Sequence, residues 1–194
     1  MKPQFVFNFI IVLLCSMMSF SCAYKLSNSV DKLPGGITTI SVPMFKNDSK
    51  EPNIEVYFTN SFRSEVLRFG RINLVNQESL AQAVVTGTIK SVKIISDESV
   101  IESKNATYLP FGTVLATQVK VSVTVSMKMT EVKTQKILWS GDYEQSKNYT
   151  PPQITLPVIN SANNLYNLSE RRQTLETLSK DMMQLALDRL VDNF

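Results

Sequence analysis

The chain has 194 residues, with 20 basic and 17 acidic side chains and a formal net charge of +3, so no polyelectrolyte partner such as nucleic acid is implied. It contains no histidine, which removes the commonest general base and the commonest metal ligand together. No glycine-rich phosphate loop and no paired-cysteine spacing occurs, so neither an enzyme nor a metal or cofactor site is expected.

The N-terminus opens on Met1-Lys2-Pro3-Gln4, with one positive charge, and runs on largely apolar from Phe5 to Phe20, interrupted by Asn8 and Ser16. A spanning helix needs about 20 uninterrupted apolar residues, whereas this run closes on the small-residue end Ser19-Phe20-Ser21. Residues 1–21 therefore read as an export signal, removed between Ser21 and Cys22. The segment Ser19-Phe20-Ser21-Cys22 resembles a bacterial lipobox, in which the cysteine receives a thioether-linked diacylglycerol before cleavage. It departs from the usual pattern at Ser19, where Leu is common, and at the bulky Phe20. Cleavage removes Lys2 and Cys15, leaving a weakly basic chain whose one cysteine is Cys22. There is then no disulfide framework despite an oxidising destination, so stability must come from a packed core.

Residues 22–32 form the lipidated N-terminus and a polar tether, rich in Ser, Asn and Asp between Lys25 and Lys32. A single domain is expected over 33–194. Leu33-Pro34-Gly35-Gly36 is a turn signal, and the β-branched run Ile37 to Pro43 reads as a first strand. Phe45 to Ser49 reads as a loop, and Pro52 stands where the first turn of a helix tolerates it. Ile54, Phe58, Phe62, Val66 and Phe69 recur at helical spacing, and Gly70 follows as a stop. Arg71 to Val75 suits a short strand and Glu78 to Gln82 a brief helical turn or loop.

Ala83 to Ser96 has strand composition, with Gly87 marking a bulge or a close approach of another element. Ile101 to Val114 is long for a hairpin connection. From Val119 to Thr130 the odd positions are all apolar and the even ones all polar, the pattern of a strand buried on one face. A short polar link, Val132 to Lys136, leads to the strand Ile137 to Tyr143 in an expected antiparallel hairpin. Pro151, Pro152 and Pro157 leave little regular structure between Tyr149 and Leu165. Asn167-Leu168-Ser169-Glu170 reads as a capping box before a last amphipathic helix through Leu175, Leu178, Met182, Leu185, Ala186 and Leu190. The expected architecture is an α+β two-layer sandwich, with two main helices packed on one face of a mostly antiparallel four-stranded sheet.

Particular residues sharpen this reading. Cys22-Ala23-Tyr24-Lys25-Leu26, the run Leu33-Pro34-Gly35-Gly36-Ile37 through Val42-Pro43-Met44-Phe45-Lys46-Asn47, and Glu51-Pro52 together resemble the start of the LptE family of lipopolysaccharide-assembly lipoproteins. Ala83 to Ile89 and Leu138-Trp139-Ser140-Gly141-Asp142-Tyr143 are similar to that family's strand motifs. The resemblance implies the same sandwich, held by acyl chains in the outer membrane and facing the periplasm. It also implies a one-to-one complex with the β-barrel LptD, which the domain plugs from within while helping it assemble and insert lipopolysaccharide. Ala23 after the cysteine is similar to lipoproteins sorted to the outer membrane. The alternative is another envelope assembly lipoprotein, a pilotin-like or cell-wall-associated chaperone.

A plug presents polar side chains to a wet lumen, and a lipopolysaccharide-handling surface presents cations to sugar phosphates. Lys90, Lys93, Lys120 and Lys128 lie on the two longest strands and are the candidate contacts. With even-numbered residues sharing a face, Lys120 and Lys128 fall together. Phe111, in the Ile101–Val114 connection, is a candidate for reaching the barrel.

Overall fold

The computed structural model describes residues 33–99, 115–150 and 164–192. Among the described residues six strands and two helices follow in the order β1 (Thr39–Ser41), β2 (Lys46–Asn47), α1 (Ile54–Phe69), β3 (Asn73–Val75), β4 (Ala83–Ser99), β5 (Leu115–Glu131), β6 (Ile137–Tyr149) and α2 (Asn164–Asp192). Short 3-10 turns at Pro34–Gly36 and Glu78–Leu80 fall where turn residues were read. The expected signal, Cys22, the expected tether and Phe111 lie outside the described residues.

Both helices pack on one face of the sheet, as expected, but the sheet is mixed and larger than four antiparallel strands. Its order is β3-β1-β4-β5-β6, with β2 also paired to β4. β4, β5 and β6 form the antiparallel meander, whereas β1 pairs in parallel with β3 and β4, and β2 in parallel with β4. The physical reason is the connection through α1. A helix between β1 and β3 returns the chain in the same direction, which makes those two strands parallel neighbours. Two or three residues per strand, as in β1, β2 and β3, carry too little periodicity to announce such pairing.

The alternation in β5 holds along its length: Val119, Val121, Val123, Val125, Met127 and Met129 are buried, and Lys120 and Lys128 are exposed. In α1 the four positions Ile54, Phe58, Phe62 and Val66 are fully buried. Gly70 ends that helix at φ 68°, and its N–H donates to the Val66 carbonyl at 3.3 Å. Pro52 precedes the helix instead of entering it, because Asn53 takes a left-handed φ of 61° as the residue before Ile54. The helix α2 begins at Asn164, so the expected capping box lies inside it. There Leu168, Ser169 and Glu170 face solvent, where polar side chains need no cap role.

Helices and sheet meet in one core. α2 contributes Leu175, Leu178, Met182, Met183, Ala186 and Leu190 to it. The helices touch each other through a buried hydrogen bond between the Ser61 and Ser179 hydroxyls at 2.8 Å. Gly87 answers the question its sequence position raised: it is a site of close approach. A Cβ there would stand 2.4 Å from ring carbons of Phe45. That ring is itself buried and packs on Phe62 with centroids 6.2 Å apart. The bulge in β4 lies elsewhere, between Ile89 and Ser91.

Burial pushes the Tyr143 phenol up to about 12, with Arg189 beside its ring pulling the other way. The folded state therefore resists ionisation that the unfolded chain undergoes near pH 10. Stability tied to this group is complete below that pH and is lost as pH rises towards 12. Urea midpoints measured between pH 9 and 12 are expected to fall more steeply for the unsubstituted chain than for Tyr143→Phe, which has no phenol to ionise.

Candidate functional site

The face of the sheet turned away from the helices is polar, and among the described residues no element lies over its middle. Its rows are set by strand register. Thr86, Lys128 and Ser140 form one row; Thr88, Ser126 and Asp142 the next; Ser91, Thr124 and Glu144 another. The Ser91 hydroxyl donates to the Thr124 hydroxyl at 3.3 Å within the last of these. Further along, Lys93 stands opposite Ser122, which in turn faces Ser146, and Lys120 stands between Ile95 and Asn148.

The bulge at Lys90 changes which side chains share this face. Before it, even-numbered residues of β4 face outward; beyond it, Val92 and Ile94 pair with Val123 and Val121 of the core side, and odd-numbered Lys93 turns outward. One extra residue inverts the parity of everything after it. The expectation that even numbers share a face along β4 therefore fails past Ile89, and this is what brings Lys93 beside Lys120. The two are diagonal neighbours, about 7–8 Å apart by sheet geometry. Lys120 and Lys128 do share a face, but they stand at opposite ends of β5, about 27 Å apart by the rise of a strand. The four lysines thus form no single strip: Lys93 and Lys120 gather near the far end with Lys90 at the bulge, and Lys128 stands apart. All four are exposed, and among the described residues none makes an ion pair.

Lys128 lines a cavity of about 470 Å³ on this face. Its walls come from the 3-10 turn (Glu78, Ser79), from β4 (Val84, Thr86), from β5 (Thr130) and from the β5–β6 hairpin (Val132, Gln135, Ile137). The hairpin is held by the Val132 N–H, which donates to the Gln82 carbonyl at 2.9 Å, and by the positive φ of 57° at Gln135. The Thr86 hydroxyl is buried and finds no hydrogen-bond partner among the described residues. An ammonium, hydroxyls from Ser79, Thr86 and Thr130, and an amide beside apolar walls can meet an anionic oxygen and neighbouring sugar hydroxyls, while the Glu78 carboxylate in the same lining offsets the lysine's charge and suits a hydroxyl donor. Of these residues sequence reading reached only Lys128, since the rest converge through cross-strand register and hairpin geometry that no local pattern encodes.

A second hollow, about 420 Å³, lies between the helices and is bordered by Tyr57, Ser64, Glu65, Glu176 and Lys180. Its charges are already matched, with Lys180 on Glu176 at 2.8 Å and Arg68 on Glu65. Among the described residues no group of histidine, cysteine, aspartate and glutamate could hold a metal, and no helix is long and apolar enough to cross a membrane.

Compared with known proteins, residues 37–192 match the family described as LptE, lipopolysaccharide-assembly. No curated protein matches the chain by sequence. Among solved structures, the PelC dodecamer from Paraburkholderia phytofirmans is similar at 11% identity and a TM-score of 0.49, covering 79% of this chain and 88% of that one. The protein CT253 from Chlamydia trachomatis is similar at 8% identity and a TM-score of 0.48, covering 80% of this chain and 98% of its own.

Proposed function

This chain belongs to the LptE family of lipopolysaccharide-assembly proteins, and from that membership we propose that it is a non-enzymatic outer-membrane lipoprotein that plugs an LptD-like β-barrel. In this reading residues 1–21 are removed, Cys22 carries the acyl chains, and residues 22–32 tether the domain beneath the membrane. The domain sits one per barrel, facing the periplasm and the lumen, and assists both barrel assembly and insertion of lipopolysaccharide into the outer leaflet.

The family match over residues 37–192 carries the proposal. The polar sheet face, over whose middle no element lies among the described residues, supports it, because a lumen full of water tolerates Ser, Thr and Lys where a lipid-facing wall would not. Lys128 and the hydroxyls of its cavity are the proposed contact for a sugar phosphate, and Lys93 with Lys120 and Lys90 a second cationic area. Phe111 remains a proposed barrel contact. The test is capture of the tagged full-length chain from detergent-solubilised outer membranes, where the partner should run as a heat-modifiable band.

A further inference from the structure

A thioether sulfur gives up a lone pair readily to a peroxide, so the exposure of each methionine decides its fate in an oxidising compartment. The chain has eight methionines, of which Met1, Met17 and Met18 fall in the stretch expected to be removed. Met127, Met129, Met182 and Met183 are at most 1% exposed and fill the core between sheet and helices. A sulfoxide at any of these would set a polar oxygen into packed apolar surroundings. Met44, on the connection between β1 and β2, is 55% exposed.

The backbone on both sides of Met44 is held. The Arg63 guanidinium donates to the Val42 carbonyl at 2.9 Å, and the Phe45 N–H donates to the Thr59 hydroxyl at 2.9 Å. Thr59 is fully buried in α1, and its one hydroxyl hydrogen serves the Glu55 carbonyl at 2.6 Å and the Met44 Sδ at 3.4 Å. A thioether is a weak acceptor, so the carbonyl keeps most of that hydrogen, but the hydroxyl still covers one side of the sulfur. With more than half of the residue exposed, the opposite side is open to solvent.

We propose that Met44 is a sacrificial, repairable oxidation site that takes peroxide in place of the core methionines, and that Thr59 restricts the product mainly to one sulfoxide epimer. The inference is independent of the barrel reading. In the step, the outer lone pair of Sδ attacks one oxygen of hydrogen peroxide, and the O–O bond breaks as the S–O bond forms. The proton on the transferred oxygen passes to the departing hydroxide, which leaves as water; sulfur loses two electrons and peroxide gains them. The added oxygen points to solvent, so the bonds of Thr59 to Phe45 and Glu55 stay in place and the fold is kept. A sulfoxide reductase fed by a dithiol reverses the change, the oxygen leaving as water and the thiols closing to a disulfide.

The test exposes the chain, as purified from cells, to dilute hydrogen peroxide and follows each methionine-bearing peptide by mass spectrometry. Met44 is expected to gain one oxygen at least tenfold faster than Met127, Met129, Met182 or Met183, and the chain oxidised there to keep the parent's melting profile. Of two methionine sulfoxide reductases with opposite epimer specificity, one should restore most of the Met44 peptide and the other little, whereas each restores about half of a peroxide-treated free-methionine control. With peroxide limiting, the core methionines of a Met44→Leu chain should end with several-fold more oxygen than those of the parent. Similar oxidation rates at Met44 and in the core would overturn the proposal. So would equal recovery by the two reductases, a lower melting point after oxidation of Met44, or core oxidation in Met44→Leu no greater than in the parent.

Discussion

In cells lacking the barrel, a Cys22→Ser chain exported behind a signal that is cleaved without lipidation is expected to leave the membrane fraction and to be recovered from the periplasm as a folded domain with the parent's melting profile. The expected effect is large because each buried CH₂ contributes about 0.8 kcal/mol, so two or more acyl chains amount to stable anchoring whereas none leaves only the barrel to hold the domain. The substitution lies ahead of the first described residue, Leu33, so it should not disturb packing of the core. Fractionation with and without the barrel separates the two attachments. A Cys22→Ser chain that stays wholly with the outer membrane in cells lacking the barrel would contradict the anchor.

Phe62→Ala is expected to cost about 3–5 kcal/mol, the range for removing a fully buried aromatic side chain. That is a large part of the 5–15 kcal/mol that domains of this size commonly hold. Phe62 is fully buried, and its neighbour in the stack is Phe45, the ring that closes over Gly87. Loss of Phe62 therefore leaves the ring of Phe45 unsupported at the place where α1 meets β4, and the gap cannot be refilled from the glycine side. Urea unfolding with constant slope should show the loss directly. The same substitution at exposed Leu67 should change stability by no more than about 0.5 kcal/mol. A Phe62→Ala midpoint within error of the parent would mean that the α1–β4 contact does not stabilise the fold as described.

Much of this architecture is legible in the sequence where a pattern is long. Six apolar residues alternating from Val119 to Met129 fix the buried face of β5, and the spacing of Ile54, Phe58, Phe62 and Val66 fixes that of α1. Gly87 is read as a bulge or a close approach, and the ring of Phe45 decides for the latter. Short elements escape. β2 has only two residues, so Lys46–Asn47 reads as loop, and its parallel pairing depends on Thr88 and Ile89 far along the chain. The bulge at Lys90 escapes for a different reason: nothing in Ile89-Lys90-Ser91 distinguishes an extra residue from an ordinary one, yet it inverts the facing of Lys93. The candidate site suffers most from this. Lys128 is visible as a lysine on a wet face, but its cavity is assembled from the Glu78 turn, two strands and a hairpin whose convergence is a property of the folded sheet.

The mass of the complex captured from solubilised outer membranes tests most directly whether this domain is the plug of an LptD-like barrel. The tagged full-length chain should elute with a single large heat-modifiable barrel, one copy of each, at a mass equal to their sum. Elution alone, or with a complex that contains no barrel, would contradict it.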